Sequence, residues 1–317
     1  MTIIGRPAPS SAAHAAAFPE VEDARAWCRE GDWNALSALF ARLRTVDDVY
    51  FMARVVGDLP EADAFLSDVA QAQPSAPLPK VLLAARAIGL AWQARTGARA
   101  ENVSRSQLDR MHAHLRRGEQ LLIEVTARDP ADGAAWALRI TNARGLELGQ
   151  AEARRRYDRL AKHHPHMHGA QAQLLQQLCP KWSGSWESAF AFARACAADA
   201  PEGGLNAALI AQTHIEYWRE LRGSERSGYF RRSDVAQELA AAAARSVLHP
   251  AYRPVYGWVT AHHHFAAAFS LAGDHRRARA HFDALGDLTD RYPWAYLGDP
   301  AAQFAEHRAL AARQGRP

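Results

Sequence analysis

Apolar positions recur at intervals of three and four along most of the chain, the period of an amphipathic helix, and no stretch sustains the alternation of a strand. The clearest case is WVTAHHHFAAAFSLAGDHRRARAHFDALGD, residues 258–287. There Phe265, Ala266 and Phe269 belong to a first helix and Ala278, Phe282 and Leu285 to a second. An alanine at the crossing lets two helices approach, and the larger side chains fill the groove between them. Gly273-Asp274 marks the turn, because glycine takes positive φ without steric cost. A fainter copy near the start carries Trp27, Gly31-Asp32, Leu36, Phe40 and Leu43. A middle copy carries Trp136, Gly149, Ala153, Tyr157, Ala161 and Pro165.

These copies keep a register. Helix-ending prolines fall at 130, 165 and 201, spaced 35 and 36 residues, and Gly149 and Gly184 are 35 apart. A tetratricopeptide repeat, a pair of antiparallel helices closed by a proline, has a period of ~34 residues. Elsewhere Ser104 and Gln107 form a capping-box signature before LDRMHAHLRRGEQLLIEVTAR, which Pro130-Ala131-Asp132-Gly133 closes. GLNAALIAQTHIEYWREL (204–221) and ELAAAAARSVL (238–248) read as helices, with the irregular RGSERSGYFRRS between them and the break HPAYRP after them. The expected fold is all-α, a tetratricopeptide-like helical-repeat solenoid of about eight to twelve or more helices. Residues 1–18, rich in Ala, Pro and Ser, read as a flexible tail, and residues 19–317 as a single domain of divergent helix hairpins.

LCPKWSGSWESAFAFAR, residues 178–194, interrupts this alanine-rich pattern. Pro180 stops the preceding helix, since it lacks an N–H and its ring clashes with the turn before. Ser183-Gly184-Ser185 falls on the interhelix turn, with Gly184 expected at positive φ and Ser185 as N-cap of the next helix. Trp186 and Phe190, four apart, are expected in the core. Lys181 and Trp182 have no role in such a turn and are left for another purpose.

Composition narrows the class. Hydrophobic residues at 48% and charged residues at 23% describe an ordinary globular balance, and no apolar run approaches the ~18 residues of a membrane span. No secretory signal opens the chain, so a cytoplasmic protein without membrane attachment is expected. Cys28, Cys179 and Cys196 are odd in number and lack metal-site spacing, which suits small buried hydrophobes in a reducing compartment. Net charge is +4, and all but three of the 38 basic residues are arginine, the lysines being Lys80, Lys162 and Lys181. RRRYDR and HRRARAH could touch phosphates, but both lie on helices with an apolar stripe. They read as solvated faces, so nucleic acid is the disfavoured partner.

Familiar enzyme signatures are missing. No Gly-Lys dipeptide, G-x-G-x-x-G, G-x-S-x-G or H-E-x-x-H occurs, which removes the usual phosphate loop, dinucleotide fingerprint, nucleophile elbow and zinc protease site. The histidine group HHPHMH (163–168) straddles a repeat-ending proline, where exposed histidines converge on nothing in particular, and in HHH (262–264) adjacent helical residues diverge by about 100°, so at most one or two face the same site. No metal and no cofactor is therefore expected. In THIEYWRE, His214 and Trp218 share one helix face and Gln212 and Glu216 another. Such a cluster can bind a ligand or transfer a proton; packing between helices explains the same pattern.

The stretches LCPKWSGSWESAFAFAR, THIEYW (213–218), HFDALG and YPWAYLGDPAAQFA together resemble a family of uncharacterised bacterial proteins related to tetratricopeptide-repeat proteins, over roughly residues 25–310. The resemblance implies a solenoid and supplies no catalytic residue. In repeats of this kind the first helix of each hairpin lines a concave groove. That register brings Thr141 and Arg144, Lys181 and Trp182, Gln212 and Glu216, and Thr260 and His263 to one side, with His214 beside them. The expected function is a binding or scaffold protein that takes a partner protein or peptide on that face. The alternative is an enzyme acting on a small molecule in a pocket near Trp182, His214 and Glu216.

Overall fold

The computed structural model describes residues 16–95 and 103–315, so residues 1–15 of the expected tail lie outside it. Sixteen α-helices and no strand occur among the described residues, so the all-α class expected from the periodicity is what the structure has. They gather into two compact units, Phe18–Gln177 and Leu178–Pro317, where the sequence predicted one domain. No helix of the described residues is long and apolar enough to cross a membrane.

The first unit holds α1 (Glu20–Glu30), α2 (Trp33–Arg42), α3 (Val46–Gly57), α4 (Ala62–Ala72), α5 (Pro77–Arg95), α6 (Arg105–Arg128), α7 (Gly133–Gly145), α8 (Gly149–Ala161) and most of α9 (His168–Leu178). Helix α5 packs on α3, α4 and α6, and its crossing with α3 is made by glycines. A Cβ at Gly89 would lie 2.4 Å from the Gly57 carbonyl oxygen, so two backbones touch there and only glycine fits. Helix α6 starts on the predicted capping box, Ser104 Oγ accepting from Gln107 N and Gln107 Oε1 from Ser104 N. Its Glu119 is the polar centre of the unit. Glu119 Oε1 accepts from Arg139 Nε and Nη2 at 3.0 and 2.9 Å, and Oε2 from Arg156 Nη1 at 3.0 Å and Asn142 Nδ2 at 3.1 Å. With every face of the carboxylate met, the charges can be buried between α6, α7 and α8.

The second unit holds α10 (Trp186–Asp199), α11 (Ala208–Glu220), α12 (Gly223–Gly228), α13 (Ser233–Arg245), α14 (Trp258–Ala272), α15 (His275–Leu285) and α16 (Pro300–Gln314). The segment read as irregular, 222–233, contains the short α12 and a 3-10 turn at Tyr229–Arg231. Helix α14 packs on α11, α13, α15 and α16, and Phe265, Phe269, Phe282 and Trp294 are buried around it.

The Gly-Asp turn appears twice in the same form. Gly31 and Gly273 have φ of 72° and 75°, and the amides of Asp32 and Asp274 each donate, at 2.9 Å, to the carbonyl five residues back, Trp27 and Phe269. Each aspartate then caps the next helix by accepting from the amide three residues on, Ala35 at 2.9 Å and Arg277 at 3.0 Å. Gly149 is also at positive φ, 83°.

Gly184 differs from expectation. Its φ is not positive; the left-handed residue of that turn is Ser183, at 65°. Gly184 is required by clearance instead, since a Cβ there would sit 1.9 Å from the carbonyl oxygen of Leu178. The chain turns back so tightly after Pro180 that the Gly184 amide donates to Cys179 O at 3.2 Å. Ser185 caps α10 as predicted, its Oγ accepting from Ser188 N at 3.1 Å. Trp186 and Phe190, expected in the core, are only half-buried. The three cysteines are buried and free, and burial pushes the Cys28 thiol up to about 12.

Candidate functional site

Helix α11 carries two polar networks on opposite flanks, because Glu216 and His214 are two residues apart and hence about 200° apart around the axis. On one flank the buried Glu216 Oε2 accepts from Lys181 Nζ at 2.8 Å and from Arg219 Nη1 at 3.2 Å, while Oε1 accepts from the Tyr296 hydroxyl at 3.0 Å. The Arg219 guanidinium also lies over the Tyr296 ring, 4.3 Å from its centre. Burial pushes the Glu216 carboxyl up, but Lys181 and Arg219, with the hydrogen bonds from Lys181 and Tyr296, outweigh it and hold the group down at about 2. Burial raises Tyr296 well above the usual phenol range, and the Glu216 charge adds to it. Three stretches distant in sequence, LCPKWSG, THIEYWRE and YPWAYLG, thus converge on one carboxylate.

On the other flank His214 Nδ1 lies 2.7 Å from the Tyr229 hydroxyl and Nε2 3.0 Å from Glu238 Oε2. Arg194 grips the same Glu238, Nε to Oε1 at 2.6 Å and Nη2 to Oε2 at 3.0 Å. Those bonds from His214 and Arg194 hold Glu238 at about 2. An ionised Glu238 can only accept, so His214 donates to it through Nε2–H, and Nδ1 faces the Tyr229 hydroxyl. The order hydroxyl, imidazole, carboxylate is that of a nucleophile triad, but burial raises the Tyr229 phenol, the opposite of activation.

Between these flanks the outer face of α10 and α11 leaves rings at the surface. Trp186 and Tyr217 meet edge to face at 5.3 Å, Phe190 meets Tyr217 at 5.8 Å and His214 at 4.9 Å, and the exposed Arg194 lies over Phe190 at 5.2 Å. Trp186, Phe190 and Tyr217 are all half-buried.

The residues singled out in the sequence divide. Lys181 and Glu216 are brought together, and His214 packs on the same helix facing other partners. Gln212, Trp182 and Thr260 are half-buried, Thr260 Oγ1 donating to Asp290 Oδ2 at 3.3 Å. His263 is fully buried and accepts at Nδ1 from Trp294 Nε1 at 2.9 Å. In the first unit Thr141 and Arg144 are buried on Gln173, whose Oε1 accepts from Thr141 Oγ1 at 3.1 Å and from Arg144 Nη2 at 2.8 Å. Thr141, Arg144, His214, Glu216 and His263 are therefore interior side chains rather than the walls of an open groove.

Sequence reasoning missed Tyr217, Arg194, Tyr229, Glu238, Arg219 and Tyr296. Tyr217 and Arg219 lay in view inside THIEYWRE, on α11 itself; the others carry no periodic signal toward α11. The histidine groups also have inner partners. His164 Nε2 lies 2.8 Å from Ala131 O, and His281 Nδ1 lies 3.1 Å from His262 Nδ1. No cluster of three His, Cys, Asp or Glu able to hold a metal occurs among the described residues.

No family model matches the chain, and no curated protein and no solved structure matches it. The functional reading accordingly rests on geometry alone.

Proposed function

We propose that the chain is a tetratricopeptide-like helical-repeat binding protein, and that a partner protein or peptide docks on the outer face of α10 and α11. The observation that carries this reading is the half-exposed cluster of Trp186, Phe190 and Tyr217 with Arg194 beside it. Aromatic rings and arginine are the residue types that supply most of the energy at protein interfaces, and a ring left half in water gains by being covered. Behind the rings, the bonds from His214 and Glu216 tie α11 to α13, to the Pro180 turn and to the segment before α16, so the surface is preorganised. The twice-used Gly-Asp turn supports the hairpin-repeat part of the proposal. The three buried free thiols fit a reducing compartment, and the partner is taken to be cytoplasmic.

Photocrosslinking in the producing cell tests it. With p-benzoylphenylalanine in place of Tyr217, a discrete adduct with one protein is expected. The same probe in place of the exposed Arg276 on α15 should yield none. Indistinguishable patterns at the two sites would refute the docking face.

A further inference from the structure

A second feature of the same unit faces a different way. Trp218, Gly223, Arg226, Ser227 and Leu271 line a cleft of about 260 Å³ at the end of α11. The Trp218 indole donates through Nε1 to Arg226 O at 2.9 Å, which fixes α12 over the ring, and the Arg226 guanidinium stacks on that ring at 4.1 Å. Stacking occupies the flat face of a guanidinium and leaves its N–H edge free to meet an oxyanion. Among the described residues Arg226 enters no ion pair and no side-chain hydrogen bond.

The surroundings are cationic as well. Burial lowers the pKa of Arg226, and the charges of Arg222 and Arg219 add to it. A guanidinium stacked on an indole and outside any ion pair, at the wall of a cleft, is an arrangement that an anion stabilises. Leu271 and the indole supply an apolar wall, while the Ser227 hydroxyl is committed to Ser224 O at 3.1 Å and can only accept. The cleft thus offers donors from one side and apolar contact from the other, and its volume suits a ligand of roughly one ring and one charged group.

We infer that the cleft between α11 and α12 binds a small organic oxyanion, a carboxylate or phosphate monoester carried on an apolar body about the size of a benzene ring, with Arg226 as its anchor. This site is separate from the aromatic docking face and does not depend on it.

Calorimetric titration of the full chain tests the inference with four probes: phenyl phosphate, benzoate, inorganic phosphate and neutral benzyl alcohol. Phenyl phosphate or benzoate should bind, each more tightly than inorganic phosphate or benzyl alcohol. Which of the two is tighter identifies the headgroup. Arg226→Gln keeps a planar group over Trp218 but removes the charge, and should weaken the better ligand about tenfold or more. Arg222→Gln, at an exposed position, should weaken it by a smaller factor and serves as a second reading if Arg226→Gln lowers the melting temperature. Binding of benzyl alcohol or inorganic phosphate as tight as that of the organic anions would overturn the proposal. So would the absence of any binding, or full affinity in both variants.

Discussion

Lys181 Nζ and Glu216 Oε2 lie 2.8 Å apart, although the two residues are 35 positions apart in sequence. The cation comes from the Pro180 turn and the carboxylate from α11, so the ion pair fastens the turn to that helix. Glu216 balances two cations, so Glu216→Gln leaves Lys181 and Arg219 facing each other uncompensated. A loss of about 3–5 kcal/mol in unfolding free energy is expected. Lys181→Met should cost less, because Arg219 and Tyr296 still satisfy the carboxylate. Urea unfolding of the two variants checks the order.

The same carboxyl sets an acid limit. Its folded pKa of about 2 is below the ordinary 4.5, so the stability it contributes is present above about pH 4.5 and is lost as pH falls toward 2. In Glu216→Gln this part of the acid-unfolding curve should be flatter than in the wild type.

His262 and His281 act in a higher window. Burial holds them down at about 4 and about 3 from an ordinary 6.5, and His281 is stacked on Phe265 and Phe269 at 5.2 and 5.6 Å. Their depressed values mean that stability is complete above about pH 6.5 and is lost progressively as pH falls from 6.5 to 4 and 3, on the order of 3 kcal/mol for one such group. His281→Phe keeps the stack, loses the bond to His262 and should be less sensitive to pH between 6.5 and 4. Unfolding free energies at pH 7.5 and 5 for the two proteins measure this.

Gly184 and Ser183 separate clearance from backbone conformation. Gly184→Ala forces a Cβ against the Leu178 carbonyl and should destabilise by about 1–3 kcal/mol or more. Ser183→Gly relieves a non-glycine residue at φ 65° and should be neutral or stabilising by up to about 1 kcal/mol. Melting temperatures moving in the opposite sense would overturn the description of this turn.

The helices and their pairing were legible because they are written locally: Gly31-Asp32 and Gly273-Asp274 state a turn within two residues, and Ser104 and Gln107 state a helix start within four. The function of Gly184 was not, since a glycine that avoids a carbonyl and a glycine at positive φ look the same in sequence. Trp186 and Phe190 share a face at core spacing, and the same spacing serves a surface cluster. The buried networks were least legible. Glu216 meets Tyr296 across 80 positions and His214 meets Glu238 across 24, distances at which polar pairing leaves no periodic trace.

The docking face is tested most directly by the affinity of the crosslinked partner, once purified, for the wild type and for Phe190→Ala and Tyr217→Ala, with Glu187→Ala on the exposed side of α10 as control. Each aromatic variant is expected to lose about 1–3 kcal/mol of binding with its melting temperature retained, and the control to bind as the wild type does. Wild-type affinity in both folded aromatic variants would contradict the account.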